Sequence, residues 1–324
     1  MTTSDLPYYP PPDKCKRPAQ KFDFSELHED LFSEAPKIEI DADLKEALDK
    51  LSEENIIAWL KAITGTDFKT RHTLSPLNVE AAEWLKGEFK EIGYTDIIFH
   101  DFVHQGQTRH NVVATKTGKT DPNTFIIVCA HYDSRMDNLN DHSSAAPGAD
   151  DNGSGIVTVL ELSRVLHKLE TDCSIRFIFF SGEEQGLLGS KAYATHAHDG
   201  EMNIRLLINL DMVGHPADPE DPTIIVEMDM GNTSPGNDEP SRLFGKQMAA
   251  AAGTGLKTSF GPIYSSDYMP FEHFGYVCVG LFDGADGAAF YHTKNDTLET
   301  VNTGFCLKIV EMLSAFVRQA SKNI

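Results

Sequence analysis

Acidic residues and histidines follow directly after three strongly apolar stretches of this sequence. The stretches and the residues that follow them are 125–130 before His131 and Asp133, 175–180 before Glu183 and Glu184, and 206–210 before Asp211. Short apolar runs of this kind predict buried β-strands. Because ligand sites in open α/β sheets form beyond the carboxyl ends of the strands, we expect these side chains to converge in one crevice.

Two further segments bring polar groups to the same predicted edge. Asp150 and Asp151 stand before the helical pattern 153–169, and His292 stands before the helical pattern 297–321. Carboxylates gathered in this way repel one another unless some are protonated or cations lie between them. A pair of metal ions satisfies all of them. Nitrogen and oxygen ligands suit zinc, and Mn²⁺ or Co²⁺ would also fit.

Each segment alone has an ordinary structural explanation. Asp150 and Asp151 could cap the helix that follows them, and Glu183 and Glu184 could favour the N-terminus of another helix. The joint placement of all the segments at one end of the predicted sheet favours a functional site instead. Asp296 is expected to cap the last helix, so we leave it outside the predicted site.

Strand and helix patterns alternate along the chain, as is typical of an α/β fold. Strands are predicted at 97–103, 111–115, 124–130, 174–180, 205–211, 223–228 and 276–282. Helices are predicted at 42–63, 78–92, 153–169, 186–197, 238–252 and 297–321. This order predicts a mixed, mainly parallel central sheet with helices on both faces.

The N-terminal segment 1–40 lacks regular periodicity and contains a run of three prolines at 10–12, which predicts an irregular N-terminal arm. Residues 41–324 show no repeat and no break in composition, so we expect one catalytic domain there. The N-terminus has neither a basic region nor an apolar core of a signal peptide. We therefore expect a cytoplasmic protein, unless a signal was removed from a longer precursor, which would make it secreted or periplasmic.

Composition excludes several classes of partner. The formal net charge is −21, which disfavours binding to nucleic acid. The sequence has no apolar run near ~18 residues, so we expect no membrane span. Its five cysteines are odd in number and spread over a long chain, which argues against a disulfide framework. They include no CxxC pair, which argues against thiolate metal sites. Nothing in the sequence predicts an oligomeric state.

Taken together, the motifs resemble the zinc exopeptidase family of bacterial leucyl aminopeptidases, over roughly residues 42–322. Glutamate carboxypeptidase II, the transferrin receptor and glutaminyl cyclase are relatives of that family. The motifs that carry the resemblance are His131-Tyr132-Asp133, Ala146-Pro147-Gly148-Ala149-Asp150-Asp151-Asn152-Gly153-Ser154-Gly155, Ser181-Gly182-Glu183-Glu184-Gln185-Gly186-Leu187-Leu188-Gly189-Ser190, Asn209-Leu210-Asp211-Met212 and Tyr291-His292-Thr293.

The resemblance implies two zinc ions per chain that share one ligand. His131, Asp151 and Asp211 would hold one ion, and Asp151, Glu184 and His292 would hold the other. It also implies that Glu183 is the general base and acid, that Asp133 orients His131, and that the peptide bond after Asp151 is cis. Tyr291 resembles a tyrosine that stabilises the oxyanion in the carboxypeptidase branch. Tyr264 lies one position away from the tyrosine of the aminopeptidase branch, and we prefer Tyr291.

The function implied is that of an aminopeptidase acting on peptides with a free N-terminus. Apolar residues at 269, 271 and 274 suggest an apolar N-terminal side chain in the substrate. Three alternatives remain: a carboxypeptidase or dipeptidase of the same family, a glutaminyl cyclase, and a receptor-like module without activity. An enzyme that recognises a carboxylate of its substrate needs an arginine or lysine positioned to bind it. The loop 265–271 has neither, which disfavours the first alternative.

Overall fold

An eight-stranded sheet lies at the centre of the protein in the computed structural model, which describes residues 38, 40–231, 236–253 and 255–322. The predicted N-terminal arm, 1–40, therefore lies outside the described residues except for 38 and 40. The strands are β1 (Asp96–His104), β2 (Gln107–Lys116), β3 (Asp121–His131), β4 (Cys173–Phe180), β5 (Asn203–Leu210), β6 (Thr223–Met228), β7 (Lys257–Pro262) and β8 (Cys278–Phe282).

The sheet is mixed, as the sequence predicts. Its strand order is β1-β2-β4-β3-β5-β8-β6-β7. In the part of the chain that the structure describes, β3 is parallel to both β4 and β5, β5 is parallel to β8, and β6 is parallel to β7. The pairs β1–β2, β2–β4 and β6–β8 are antiparallel. The parallel centre brings the carboxyl ends of β3, β4 and β5 to one edge.

Eight helices accompany the sheet in the described ranges. They are α1 (Ala42–Leu48), α2 (Glu53–Ile63), α3 (Pro76–Ile92), α4 (Gly155–His167), α5 (Leu188–Asp199), α6 (Asp238–Ala250), α7 (Met269–His273) and α8 (Thr303–Lys322). Short 3₁₀ turns occur at Thr66–Phe68 and Leu298–Thr300.

Two helix predictions need correction. The single predicted helix 42–63 is two helices, because Ser52 begins the second one as its N-cap and accepts the N–H of Asn55. The Ser52 N–H itself is held by Glu161 at 2.7 Å. The last helix begins at Thr303 rather than at 297, after a separate 3₁₀ turn. Capping and tertiary hydrogen bonds thus interrupt apolar patterns that look continuous.

Apolar side chains cover both faces of the sheet, as expected for a sheet whose central strands are buried on both sides. In β3, Ile126 and Val128 pack into a cluster with α2, α3, α4 and α8. Ile127 and Cys129 face the opposite way and pack with α5 and α7. All four described cysteines are buried and none forms a disulfide. Every helix among the described residues is too short or too polar to span a bilayer.

Candidate metal centre

The parallel centre of the sheet brings together the residues that follow its strands. His131, the last residue of β3, pairs with Phe180 at the end of β4. On the other side of β3, Cys129 pairs with Asn209 near the end of β5. The turn after β4 therefore presents Glu183 and Glu184 beside His131, and Asp211 follows β5 on the other flank.

An irregular turn at Ala149–Ser154 carries Asp151 into the same crevice, directly before α4. Gly148 begins the turn with a φ of +53°, and a Cβ there would lie 2.3 Å from the Asp151 carbonyl oxygen. Only glycine fits this position. The peptide bond between Asp151 and Asn152 is cis, as the family resemblance predicts.

Asp296 holds this turn in place. Its carboxylate accepts the N–H of Asp150 at 2.8 Å and the N–H of Asp151 at 3.0 Å, and it is buried. Our expectation that Asp296 only caps the last helix is wrong. The last helix begins seven residues later, at Thr303, and the carboxylate points to the turn that carries Asp151.

Two groups of three side chains result, and they share Asp151. The first triad is His131, Asp151 and Asp211, and the second triad is Asp151, Glu184 and His292. Within each triad the candidate ligand atoms lie within 4.8 Å of one another. Asp151 Oδ1 is 3.2 Å from His131 Nε2, and Asp151 Oδ2 is 3.0 Å from His292 Nε2. Asp151 thus presents one oxygen to each triad.

The donor atoms of this site fit divalent metal ions. All the triad residues are buried, and they combine two imidazoles with three carboxylates. Glu184 Oε1 and Glu183 Oε1 are buried and have no hydrogen-bond partner among the described atoms. Buried carboxylate oxygens without partners are costly unless a cation neutralises them. Zinc takes such nitrogen and oxygen ligands.

Burial and charge perturb the acid–base behaviour of the site. Burial raises the pKa of Glu183 well above its ordinary value, although the nearby His131 opposes this. Burial alone would also raise the pKa of Asp151, but the hydrogen bonds to His131 and His292 hold it well below its ordinary value. Two carboxyl groups of one crevice thus have pKa values shifted in opposite directions, which is common at functional sites.

Asp133 contacts His131 through its main chain more closely than through its side chain. The Asp133 carbonyl oxygen is 3.1 Å from His131 Nδ1, whereas the carboxylate Oδ1 is 3.7 Å away. The carboxylate accepts the N–H groups of Glu183 and Glu184 at 3.1 and 3.2 Å. Asp133 therefore fixes both the imidazole and the turn that carries the two glutamates.

Of the two candidate tyrosines, Tyr291 lies at the second triad. Its ring stacks on the His292 ring with a centroid distance of 3.6 Å. Tyr264 donates its backbone N–H to the Tyr268 hydroxyl at 3.2 Å. The stacking places the Tyr291 ring beside a candidate metal ligand, which keeps it as the preferred tyrosine.

Two polar contacts at the triads were missed in the sequence. Arg135 Nε donates to Glu184 Oε2 at 2.7 Å, and Ser266 Oγ donates to Asp211 Oδ2 at 2.7 Å. Arg135 stands two residues after Asp133, so the strand end itself was a signal that could have found it. Ser266 has no such signal, because its contact depends on how the loop after β7 folds back over β5.

The sequence matches the model of Peptidase family M28 over residues 111–317. That range includes every residue of both triads. The chain belongs to peptidase family M28. The predicted kinship with zinc exopeptidases is thereby confirmed.

Individual relatives agree with this assignment. A probable zinc metalloprotease of Pyrenophora teres f. teres is 36% identical over 195 residues, which are 54% of this chain and 42% of the relative. The chain spans about half the length of the curated relatives it matches.

Solved structures confirm the predicted fold class. The LapA aminopeptidase of Legionella pneumophila superposes with a TM-score of 0.75 at 22% identity and covers 95% of this chain and 80% of its own. BSAP, a zinc aminopeptidase from Bacillus subtilis, is 31% identical with a TM-score of 0.54, over 68% of this chain and 52% of its own.

Proposed function

We propose that this protein is a zinc-dependent aminopeptidase with two metal ions, one at each triad. The observation that carries the proposal is Asp151, whose two oxygens lie at 3.2 and 3.0 Å from the two different histidines. A carboxylate shared in this way suits a pair of neighbouring ions. Similarity to a protein named a zinc aminopeptidase, at 31% identity, supports the choice of metal and reaction.

Each triad would provide the protein ligands of one ion. His131 and Asp211 would complete the first ion site, Glu184 and His292 would complete the second, and Asp151 would bridge them. When bound, an ion pair supplies Lewis acidity that lowers the pKa of water and polarises a peptide carbonyl. Asp133 and Asp296 position the ligands through the hydrogen bonds described above.

Glu183 is the proposed proton shuttle. Its carboxylate takes a proton from the attacking water and later gives it to the leaving amine, so that the carboxylate is regenerated in each cycle. The carboxyl group is buried beside His131, Asp211 and Glu184, so it lies where such a proton transfer would occur. Tyr291 is the proposed donor to the oxygen of the scissile carbonyl.

The proposed substrate is a peptide with a free N-terminus and an apolar first residue. The crevice gathers more carboxylates than imidazoles, which favours a cationic α-amine over an acylated one. The described residues from 41 onwards form the proposed single catalytic domain. The chain reaches only about half the length of several relatives, so the proposal concerns this domain's chemistry.

Metal analysis combined with a pair of substrates tests the proposal. We expect about two zinc ions per chain, loss of activity with a chelator and recovery with added zinc. Leucine anilide should be hydrolysed, and its N-acetyl derivative should not. At most one bound ion after reconstitution would refute the metal pair. Equal hydrolysis of the acetylated substrate would refute recognition of the amine.

A further inference from the structure

Strand β1 forms one edge of the central sheet. In the part of the chain that the structure describes, β1 pairs with β2 on one side and with no strand on the other. An edge strand directs a row of N–H and C=O groups away from its own sheet, and these groups can bond to a strand of another chain. The outer side of β1 is therefore a candidate surface for strand pairing.

The opposite edge strand, β7, is protected against such pairing. It has six residues, begins at Lys257 and ends at Pro262. Short length, lysine and proline are devices by which proteins keep an edge strand from pairing with other chains. By contrast, β1 has nine residues and contains no lysine, arginine or proline. Of the two edges, β1 is thus the one suited to pairing.

Two apolar side chains of β1 are exposed to solvent. Val103 is 71% exposed and Ile98 is 53% exposed. Val103 has the largest exposed fraction of any large apolar side chain in the described ranges. The two residues lie on opposite faces of the sheet, because successive side chains of a strand alternate between faces. A strand that would cover both of them must therefore lie alongside β1, in the plane of the sheet.

The sequence of β1 is complementary to itself in an antiparallel arrangement. When His100 lies opposite His100 of a second copy, a two-fold axis perpendicular to the sheet passes between them. Val103 then lies opposite Ile97 of the second copy, and Ile98 lies opposite Phe102. Residues directly opposite in an antiparallel pair share a face and contact one another. Both exposed apolar side chains are thus covered by apolar side chains.

Other registers of the same pairing are less favourable. A shift by two residues in one direction places Asp101 opposite Asp101 of the second copy, and like charges in that position are destabilising. The same shift in the other direction places Asp101 opposite the apolar Ile97. A shift by one residue brings side chains of opposite faces against each other. The register centred on His100 is therefore the one that the sequence of β1 favours.

Charged groups favour the same register. Lys86 of α3 lies over the Phe99 ring, with its Nζ atom 4.1 Å from the ring centroid. Asp101 is on the same face of β1, and its side chain is 60% exposed. In the register centred on His100, Asp101 lies opposite Phe99 of the second copy. Its carboxylate therefore comes close to Lys86 of that copy, and the two-fold axis repeats this contact.

We propose that β1 pairs with β1 of a second copy in this register, so that the protein forms a two-fold dimer with one continuous sheet. Because the contact is limited to one strand and its flanking side chains, it lies at the small end of specific interfaces, and the dimer is reversible. No residue of β1 belongs to either triad, so the dimer does not depend on the proposed peptidase function.

Sedimentation velocity over a range of protein concentrations tests the dimer. The measurement is made at about 0.15 M salt, where charges more than ~8 Å apart are screened, because the net charge of −21 on each chain opposes association. We expect a dissociation constant on the order of 1–100 μM. A wild-type protein that stays monomeric at about 500 μM would overturn the inference, whether residues 1–37 or another protein occupy the edge.

A lysine on the exposed edge locates the interface. Val103→Lys should weaken the dimer by at least about 10-fold, because it replaces an apolar contact at two equivalent places. The control is Leu243→Lys, which changes another exposed apolar residue, 46% exposed on α6, and should associate as wild type does. Melting temperatures show that both variants are folded. A dimer that Val103→Lys leaves as tight as wild type does not use β1.

A charge exchange between two copies tests the register. Lys86→Glu and Asp101→Lys should each weaken the dimer by about 10-fold or more, because both equivalent contacts become repulsive. In an equimolar mixture, a mixed dimer has one contact with exchanged charges and one unchanged contact, so association should return to within about threefold of wild type. A fluorescent label on one variant reports the mixed dimer. Two variants that associate no better together than alone would refute the proposed pairing.

Discussion

Glu183 and Glu184 are adjacent in sequence but have different surroundings. Glu184 Oε2 lies 3.3 Å from His292 Nε2 and accepts from Arg135. Glu183 is buried beside the triads, and its Oε1 atom has no hydrogen-bond partner among the described atoms. The Asp133 carboxylate holds both of their N–H groups, so the turn presents both side chains to one crevice.

This difference predicts opposite effects of two conservative substitutions. Glu183→Gln should keep both zinc ions and lower turnover by about 10²–10⁴-fold, because only the proton shuttle is removed. Glu184→Gln should weaken the ion at the second triad, and excess zinc should restore part of the activity. Zinc content and turnover are measured side by side. Loss of metal in the first variant and retention of both ions in the second would reverse the assignment.

Asp296 acts on the site through the N–H groups of Asp150 and Asp151. Removing its carboxylate in Asp296→Ala should loosen the turn and reduce metal affinity by about 10–100-fold, the usual effect of losing a group that orients ligands. A chelator competition assay measures the affinity. Glu299→Gln, an exposed neighbour that bonds to Thr297, is the matched control and should behave as wild type. Equal affinities in both variants would remove Asp296 from the site.

Site residues that directly follow a strand could be predicted from the sequence. Site residues that are brought in by tertiary contacts could not. His131, Glu184 and Asp211 could be predicted because the end of an apolar run marks the edge of a sheet. Asp296 was misread because its partners, Asp150 and Asp151, lie about 145 residues earlier in the chain. A contact of that separation leaves no local pattern.

Helix α5 begins where it touches β2 and the turn that carries the glutamates. A Cβ at Gly189 would lie 2.2 Å from Asn111 Oδ1 and 2.4 Å from the Ser181 carbonyl oxygen. Gly189→Ala should therefore destabilise the protein by about 1–3 kcal/mol through overpacking. It should also lower activity, since Ser181 precedes Glu183. Urea unfolding and turnover are measured together.

Gly87 in α3 is the matched control for this substitution. A Cβ at Gly87 meets nothing within 4 Å. Gly87→Ala should stabilise the protein by about 0.5–1 kcal/mol, because alanine favours the helix. If Gly189→Ala were as well tolerated as Gly87→Ala, the close packing of α5 on β2 and the turn after β4 would be wrong.

The half-buried ring of His100 packs β1 against α5. Its ring centroid lies 5.0 Å from that of Tyr193 and 5.2 Å from that of His196. Burial, aided by the charge of His196, lowers the pKa of His100 to about 4. In the unfolded chain the pKa returns to ~6.5, so the unfolded state binds more protons between these values and stability falls as pH falls through that window.

We expect protonation linked to His100 to lower the free energy of unfolding by about 1 kcal/mol when the pH falls from 7 to 5. This value allows for the partial exposure of the ring to solvent. His100→Gln should remove this part of the pH dependence. The free energy of unfolding in urea is measured at both pH values for wild type, His100→Gln and His142→Gln, an exposed control. Identical slopes in all three proteins would contradict the assignment.

At the scale of elements, every predicted strand is present and two short elements were not predicted. The strand 223–228 has the predicted bounds, and α3 begins at Pro76, two residues before its predicted start. The prediction omitted β7 and α7, which have six and five residues. β7 has one large apolar residue, Phe260, and α7 has fewer than two turns, so neither carries the periodic signal that marks the equally short β6.

At the scale of the whole molecule, the described hydrophobic core draws on residues from Leu44 to Ala320. Asp41 joins the two ends of this region by bonding to Arg318 and Lys322 of α8. Removal of residues up to 50 deletes α1 and the buried Leu44, and it should destabilise the protein measurably by calorimetry.

The two histidines of the proposed metal site are far apart in the chain. His131 ends a central strand, whereas His292 comes shortly before α8, which itself packs against α4 in the core. During synthesis the second triad therefore stays incomplete until the segment that carries His292 has left the ribosome. Since domains generally fold as units during translation, a nascent chain cannot carry a complete site. The proposed metal site is thus completed only after His292 has been made and α8 can pack against α4.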